Sequence, residues 1–385
     1  MAPKANVVII GASFAGIPIA HSLLKDPTVS KVTLINPSTT FYFAIAAPRV
    51  LAKPNAFKPE QYLLPIEQEF SQYSELSFEF VLGHATAIDV RAKTVSVDNT
   101  KTFPFDYLVI ASGSTTVSSK ETTTTPVPFK SSNSDNMKQL IQGAQQYLAG
   151  ARRIVIGGGG PIGVELAGEL AENARQTNQQ VEITLVSASY RVLPMLKPAA
   201  SAAAETLLAE KGVKVLNGQR VKKAEQSSDS NIWTVTLDDD QQSLTADAYI
   251  PTTGVQPNNS FIPDEFLDHQ GWVVVNKDLR VRGNMPDTSK PLPIFAAGDI
   301  TNNSMRLSFK AQEQASVVAN NIRAEILGHG KRKSYDQGEK VMMIVPVGST
   351  GGTGLMFGWT PWSFLVKIIK GKDFFISTAR SAIAP

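Results

Sequence analysis

A glycine-rich turn set between an apolar run and an amphipathic stretch occurs twice in this chain, about 147 residues apart. The first copy leads from Asn6–Ile10 through Gly11, Ala12, Ser13, Phe14, Ala15 and Gly16 into a helical pattern over 15–25. A second apolar run follows at Lys31–Ile35. The other copy leads from Arg153–Ile156 through GGGGPIG into a helical pattern over Gly163–Asn173, then a run at Val181–Val186. Strand, tight turn, helix and strand make a βαβ unit, whose parallel strands need helices to cover them. Two such units predict an α/β protein with two Rossmann-like, three-layer ββα dinucleotide-binding domains. The 385 residues are enough for both and a smaller third part.

Composition narrows the chemistry. There is no cysteine, so disulfide frameworks, thiolate metal sites, Fe–S clusters and dithiol redox pairs are excluded, and no metal is expected. A net charge of +3 argues against nucleic acid, and Lys331-Arg332-Lys333 reads as a solvated turn. The four histidines, His21, His84, His269 and His329, stand in no recognisable catalytic setting. No run of 18 apolar residues suggests a spanning helix, and the N-terminus has no signal-peptide pattern. Position 2 is not glycine, so myristoylation is not supported, and a cytoplasmic location is expected.

The turns can be read residue by residue. A dinucleotide fingerprint uses one glycine for the turn, one for close approach of pyrophosphate and one for helix packing. Gly11 and Gly16 fill the outer positions of the first turn, with Ser13 at the middle one. Asn36 stands 25 residues after Gly11, where an acid usually meets the ribose. Gly158, Gly160 and Gly163 complete the fingerprint in the second turn, and Glu165 and Glu169 follow. Ser187 ends the next strand where an acid would repel a 2′-phosphate, so both NADH and NADPH are expected to fit. Arg191 either assists there or is a surface charge.

Two further segments share a strand-then-glycine theme. DYLVIASGS carries Ala111 and Gly113, and AYIPTTGVQPN carries Gly254; each glycine marks a close backbone approach. IFAAGDI delivers Gly298 and Asp299 from a buried strand, with Asp299 expected beside a flavin's ribityl hydroxyls. A helix starting near Ala311 would aim its N-terminal amides at the flavin's pyrimidine edge. Arg306 and Lys310 precede it, either as aids to the reduced flavin or as surface charges. Strands are also expected at Ser77–Val81, Thr94–Val97, Val213–Leu216, Trp233–Leu237, Val341–Pro346 and Phe374–Thr378. The Ser/Thr-rich stretch 112–125 reads as a linker.

The order GASFAG, DYLVIASGS, GGGGPIGVELAGEL, TTGVQPN and FAAGDI, with a C-terminal interface domain, resembles the two-dinucleotide-domain flavoproteins over nearly the whole chain. Within them it is similar to the apoptosis-inducing-factor-like group, near the ferroptosis suppressor proteins and their fungal relatives, and more distantly to type II NADH dehydrogenases. The resemblance implies a glutathione-reductase-like architecture. An FAD domain would span 1–118 and 246–328, an NAD(P)H domain 119–245, and a small α+β C-terminal domain 329–385. It places Glu165 beside the nicotinamide, Pro48 and Arg49 near the FAD, and Arg306 where ferroptosis suppressor protein has a lysine near the flavin.

The expected function is hydride transfer from NADH or NADPH to FAD. Without a dithiol, electrons then leave the flavin directly for a small acceptor, and quinone is the acceptor that the resemblance implies. Two other readings stay open: a flavoprotein oxidising or cyclising one small metabolite, and a signalling protein with structural FAD and little turnover. The aromatic stretch Leu355–Lys370 lies on a membrane surface, walls the flavin cavity or forms a dimer contact, so the protein is expected to be a monomer or homodimer.

Overall fold

The computed structural model describes residues 4–117, 126–238, 242–286, 289–338 and 342–384. Its first sheet has five parallel strands, in the order Ile294–Ala296, Tyr107–Ile110, Ala5–Ile10, Val29–Asn36 and Phe78–Leu82. Val7, Val8, Ile9 and Ile10 are all buried, as expected of a parallel strand covered on both faces. The helices Gly16–Leu24 and Ser308–Leu327 pack against each other. An antiparallel meander, Ala85–Asp89, Thr94–Val97 and Lys101–Pro104, sends Val95 and Val97 into the same core.

The second sheet repeats the design with four parallel strands, in the order Lys214–Asn217, Glu182–Ser187, Arg153–Gly157 and Ala248–Pro251. Its own meander, Val221–Gln226, Trp233–Leu237 and Ser243–Ala246, closes a small separate core around Val155, Val186, Val235 and Leu237. The chain leaves the first unit through Ser114–Thr116 and comes back through Val255–Pro257, and these segments pair antiparallel. Ser112 Oγ donates to Asn258 O, and Asn258 Nδ2 donates to Ser112 O, both at 2.8 Å. Part of the expected linker is therefore a strand; its residues 118–125 lie outside the described residues.

The C-terminal part holds an antiparallel pair, Met343–Pro346 with Gly352–Leu355. A short helix Ser363–Val366 then runs into a π turn, Lys367–Gly371. The strand expected at Phe374–Thr378 does not form. Phe374 and Phe375 have positive φ, and Ile376–Thr378 is a 3-10 turn. Asp373 is the cause: its carboxylate accepts from Phe375 N at 3.0 Å and Ser377 Oγ at 2.7 Å, and such local bonds compete with a ladder. Two helices also begin earlier than expected. The second-turn helix starts at Pro161, where proline costs no hydrogen bond, and the late helix starts at Ser308.

The tail beyond this turn is tied to the first helix. His21 stacks on Phe70 at 4.1 Å; its Nε2 donates to Ile383 O at 3.0 Å, and its Nδ1 accepts from Tyr73 Oη at 3.2 Å. Both bonds suit the neutral ring, and burial lowers its pKa from 6.5 to about 4. The unfolded chain therefore takes up this proton first, so stability is lost as pH falls from 6.5 towards 4. Thermal melts across that range should show a flatter acid limb for His21→Gln than for the parent protein.

Candidate functional site

A cleft of about 1110 Å³ opens where the strands of the first sheet end. Gly11 (φ 106°), Asn36, Ala111 and Gly298 all lie on its wall, each at or just past a strand end. This is the crevice where α/β sheets bind ligands. A Cβ on Gly11 would sit 2.2 Å from Ala111 O, and one on Gly16 would sit 1.8 Å from Gly11 O. Gly11 thus lets two strand ends touch, and Gly16 lets the helix pack on the turn. Ser13, Phe14 and Ala15 line the cleft between them, and Phe14 packs edge-on to Phe41 at 5.1 Å. Gly113 (φ 66°) has no heavy atom within 4 Å of a would-be Cβ, so the wall is open there. Asn36 is bound within the turn: Oδ1 accepts from Ala12 N at 2.9 Å, and Nδ2 donates to Ser38 O at 2.7 Å.

Three helices begin at or beside this cleft without a side-chain cap: Gly16–Leu24, Pro161–Gln176 and Ser308–Leu327. Ala15, Pro161, Ser308 and Ala311 from these N-termini line it. Open amides and positive dipole ends suit an anionic ligand. The second fingerprint keeps the same division of labour. A Cβ on Gly158 (φ 129°) would lie 2.6 Å from Thr252 O, and one on Gly163 would lie 2.0 Å from Gly158 O, while Gly160 and Gly254 face open space. Ser187 is buried against Gly159. Arg191 Nη2 donates to Pro194 O at 3.0 Å and Leu196 O at 3.1 Å, within its own loop. Glycine cradles with room above them fit FAD in the first domain and a nicotinamide dinucleotide in the second.

The charged groups divide sharply. Asp299 reaches the cleft, where its carboxylate accepts from Ser114 Oγ at 2.9 Å and pairs with Lys130. Burial alone would push Asp299 up, but Lys130, the Ser114 hydroxyl and Arg306 together hold the carboxyl below its usual range. Arg306 also lines the cleft; its guanidinium lies 3.9 Å from the centre of the Trp272 ring, and its buried Nε has no hydrogen-bond partner among the described residues. Glu165 lies on the wall in a buried position and accepts from Lys370 Nζ at 2.6 Å. Burial pushes the Glu165 carboxyl up, against the pull of Lys370 and Arg49.

Two expected site residues point elsewhere. Because the helix begins at Ser308, Lys310 falls inside its first turn and pairs with Glu313 at 2.8 Å, off the cleft wall. Arg49 sits one residue past Pro48, which does line the cleft, and the helical rotation between neighbours turns it away. Its Nε and Nη2 grip both oxygens of Glu169 at 2.8 and 2.7 Å, and its remaining donors reach Lys372 O and Gly371 O at 2.8 Å. The Phe374 ring lies 4.6 Å beneath it. Beside this pair, Glu172 bonds Lys53 at 2.6 Å and Lys211 at 3.2 Å; against the cost of burial, its bonds with Lys53 and Ser349 lower its pKa to about 2. Lys130 and Lys370 were missed in the sequence. In the sequence Lys370 is only the last residue of the aromatic stretch, and Lys130 carries no local signal.

Residues 5–315 match the model of a family described as pyridine nucleotide-disulphide oxidoreductase. The chain is 36% identical over 388 residues to oxidoreductase ptaL of Pestalotiopsis fici, covering 96% of each. It is 30% identical to oxidoreductase phnG of Penicillium herquei, covering 97% of this chain and 95% of that one. Ferroptosis suppressor protein 1 of Homo sapiens is 24% identical, covering 97% and 94%. Among solved structures, the sulfide:quinone oxidoreductase of Aquifex aeolicus superposes with a TM-score of 0.76 at 19% identity, covering 99% of this chain and 92% of that one.

Removing one partner of a buried ion pair strands the other. Arg49→Met should therefore lower unfolding free energy by about 3 kcal/mol in a urea titration, Lys53 leaving Glu169 partly matched. Glu169→Leu in the same chain should restore most of that loss.

Proposed function

The chain belongs to the pyridine nucleotide-disulphide oxidoreductase family, and on that premise we propose that it is an FAD-dependent NAD(P)H oxidoreductase delivering electrons to a small uncharged acceptor, a quinone. The Glu165–Lys370 pair on the cleft wall carries the reading. Bound FAD would supply the hydride acceptor and the store of two electrons, and the protein supplies binding, orientation and electrostatics. Glu165 stands on the first turns of the second-domain helix, at the edge where a nicotinamide held by Gly158 and Gly160 would meet the first-domain cleft. Its carboxyl oxygen is an acceptor for a carboxamide N–H, and Lys370 opposes the rise in its pKa that burial imposes. The uncapped N-terminal amides of Ser308–Leu327 favour negative charge on a ligand in the cleft.

The same wall supports the acceptor class. Met342, Met343, Met356, Phe357 and Phe375 line the cleft near Lys370, a soft apolar surface that suits a planar uncharged ring. The absence of cysteine leaves no dithiol to relay electrons, although the family takes its name from disulphide chemistry. Phe357, Trp359, Trp362 and Phe364 continue outward as exposed rings, with Trp362 stacked on Phe364 at 6.1 Å. Peripheral contact with a membrane through this patch is part of the proposal. Among the described residues no helix is long and apolar enough to cross a membrane.

The test is spectroscopic. The purified protein should be yellow, bleach anaerobically on addition of NADH or NADPH, and regain colour with quinones. A protein that neither contains nor takes up FAD would sink the reading. Bleaching without reoxidation by any quinone would move it to a specific metabolite. In stopped flow, Glu165→Ala should slow bleaching about tenfold, the worth of one charge-assisted hydrogen bond, and leave FAD bound.

A further inference from the structure

The chain carries eight methionines and no cysteine, so the thioether is its only sulfur. Five of the eight, Met195, Met305, Met342, Met343 and Met356, line the cleft. Met195 and Met342 are 46% and 38% exposed, and the other three are half-buried. Their sulfur is thus within reach of a small molecule that enters the cleft. Met137 is buried, with its Sδ accepting from Ser132 N at 3.1 Å, and Met285 packs against the core. Neither of these lines the cleft.

The fold gathers four of the five from separate segments. Met343 opens the strand Met343–Pro346, directly after Met342, and pairs with Leu355 across the antiparallel ladder. Met356 is the next residue along from Leu355. Met195 belongs to the loop after the strand Glu182–Ser187, and Lys197 Nζ in that loop donates to Gly358 O, two residues past Met356. The second-unit loop and the C-terminal turn are therefore tied together beside the cleft, each with a methionine on its wall. Met305 stands apart from them, beside Arg306 in the first domain.

A thioether has a specific reactivity. Hydrogen peroxide transfers one oxygen to it, giving a sulfoxide and water, and a flexible apolar side chain becomes a polar one. On the function proposed above, electrons from NAD(P)H reach this cleft. Dioxygen competes there with the acceptor: NAD(P)H, one proton and dioxygen give NAD(P)⁺ and hydrogen peroxide. No thiol is present to consume the peroxide first.

We infer that the methionine-lined wall is a redox modification site: peroxide made in the cleft sulfoxidises Met195, Met342, Met343 and Met356, and the polar wall that results admits an apolar acceptor less well. The inference rests on the protein being an FAD-dependent NAD(P)H oxidoreductase. It makes the protein self-limiting. When the acceptor runs short, dioxygen takes the electrons and its product closes the wall to apolar rings, until a sulfoxide reductase restores the thioethers.

The test is peptide mass mapping of the full-length holoprotein after incubation in air with NADH or NADPH, without acceptor and with catalase. Catalase clears peroxide that escapes, so only oxidation in place survives. The four wall methionines should gain one oxygen about tenfold more often than Met137 and Met285, since susceptibility follows access to the oxidant. The treated protein should then show a KM for a short-chain benzoquinone raised about tenfold, the effect of an unpaired dipole on an apolar wall, with unchanged bleaching by NAD(P)H. Methionine sulfoxide reductases A and B should bring KM back. Replacing all four residues, as Met195→Leu/Met342→Leu/Met343→Leu/Met356→Leu, should abolish the rise; if that variant does not fold, the reductase rescue of the parent decides. A wall without sulfoxide, sulfoxide as frequent at Met285 as on the wall, sulfoxide formed only when catalase is left out, or a KM that sulfoxidation does not move would overturn the inference. Bleaching by NAD(P)H in the same sample leaves the flavoprotein reading standing in each of those cases. A parent protein that binds no FAD would overturn that reading, and the inference with it.

Discussion

The grip of Arg49 on Glu169 is the contact on which the geometry of the site depends. It joins three parts of the chain that share no sheet: a short helix of the first domain, the long helix of the second, and the carbonyls of Gly371 and Lys372 at the end of the π turn. Glu165 lies four residues before Glu169 on the same helix, and Lys370 lies next to Gly371 on the same turn. Fixing the second member of each couple fixes the first. The cleft-facing pair of Glu165 with Lys370 is thus held in register by a buried pair one helical turn behind it. Such a pair gains little net stability over apolar packing, but it tolerates few alternative arrangements.

The helix Pro161–Gln176 organises this by spacing alone. Glu165, Glu169 and Glu172 recur at intervals of four and three, so they share one helix face, and all three are buried. Each meets a different part of the structure: Glu165 the C-terminal lysine, Glu169 the first-domain arginine, and Glu172 the lysines Lys53 and Lys211 together with Ser349 N. Close approach is built into the same helix, since a Cβ on Gly168 would lie 2.7 Å from Gly348 N. The C-terminal part therefore docks on the second domain through backbone contact as well as charge.

How much of this was legible in the sequence follows from the range of each signal. The parallel strands announce themselves as unbroken apolar runs, and both glycine turns by composition, so the two α/β units and their order could be read directly. Glu165 and Asp299 were legible as candidates, Asp299 from its strand-end turn and Glu165 from the family resemblance. Their partners were not, because Lys370 lies 205 residues from Glu165 and Lys130 lies 169 residues from Asp299. No periodicity links residues so far apart. Arg49 is expected near the FAD and instead faces away from the cleft that its neighbour Pro48 lines, since a shift of one helical position turns a side chain by more than a quarter turn. The missing strand at 374–378 shows the opposite failure: an apolar pattern gave way to one aspartate's local hydrogen bonds.

The ladder between Ser114–Thr116 and Val255–Pro257 makes the second α/β unit a cassette. Both of its chain ends leave the host at one place, three rungs long, with Ser112 and Asn258 cross-bonded beside it. A cassette with its ends side by side can be exchanged without opening the sheet that receives it. The glycine turn of the second unit can then drift, or be swapped by grafting, while the first sheet keeps its shape. What the graft must match is the segment with Lys130 and the start of the helix Pro161–Gln176, which both line the cleft of the host.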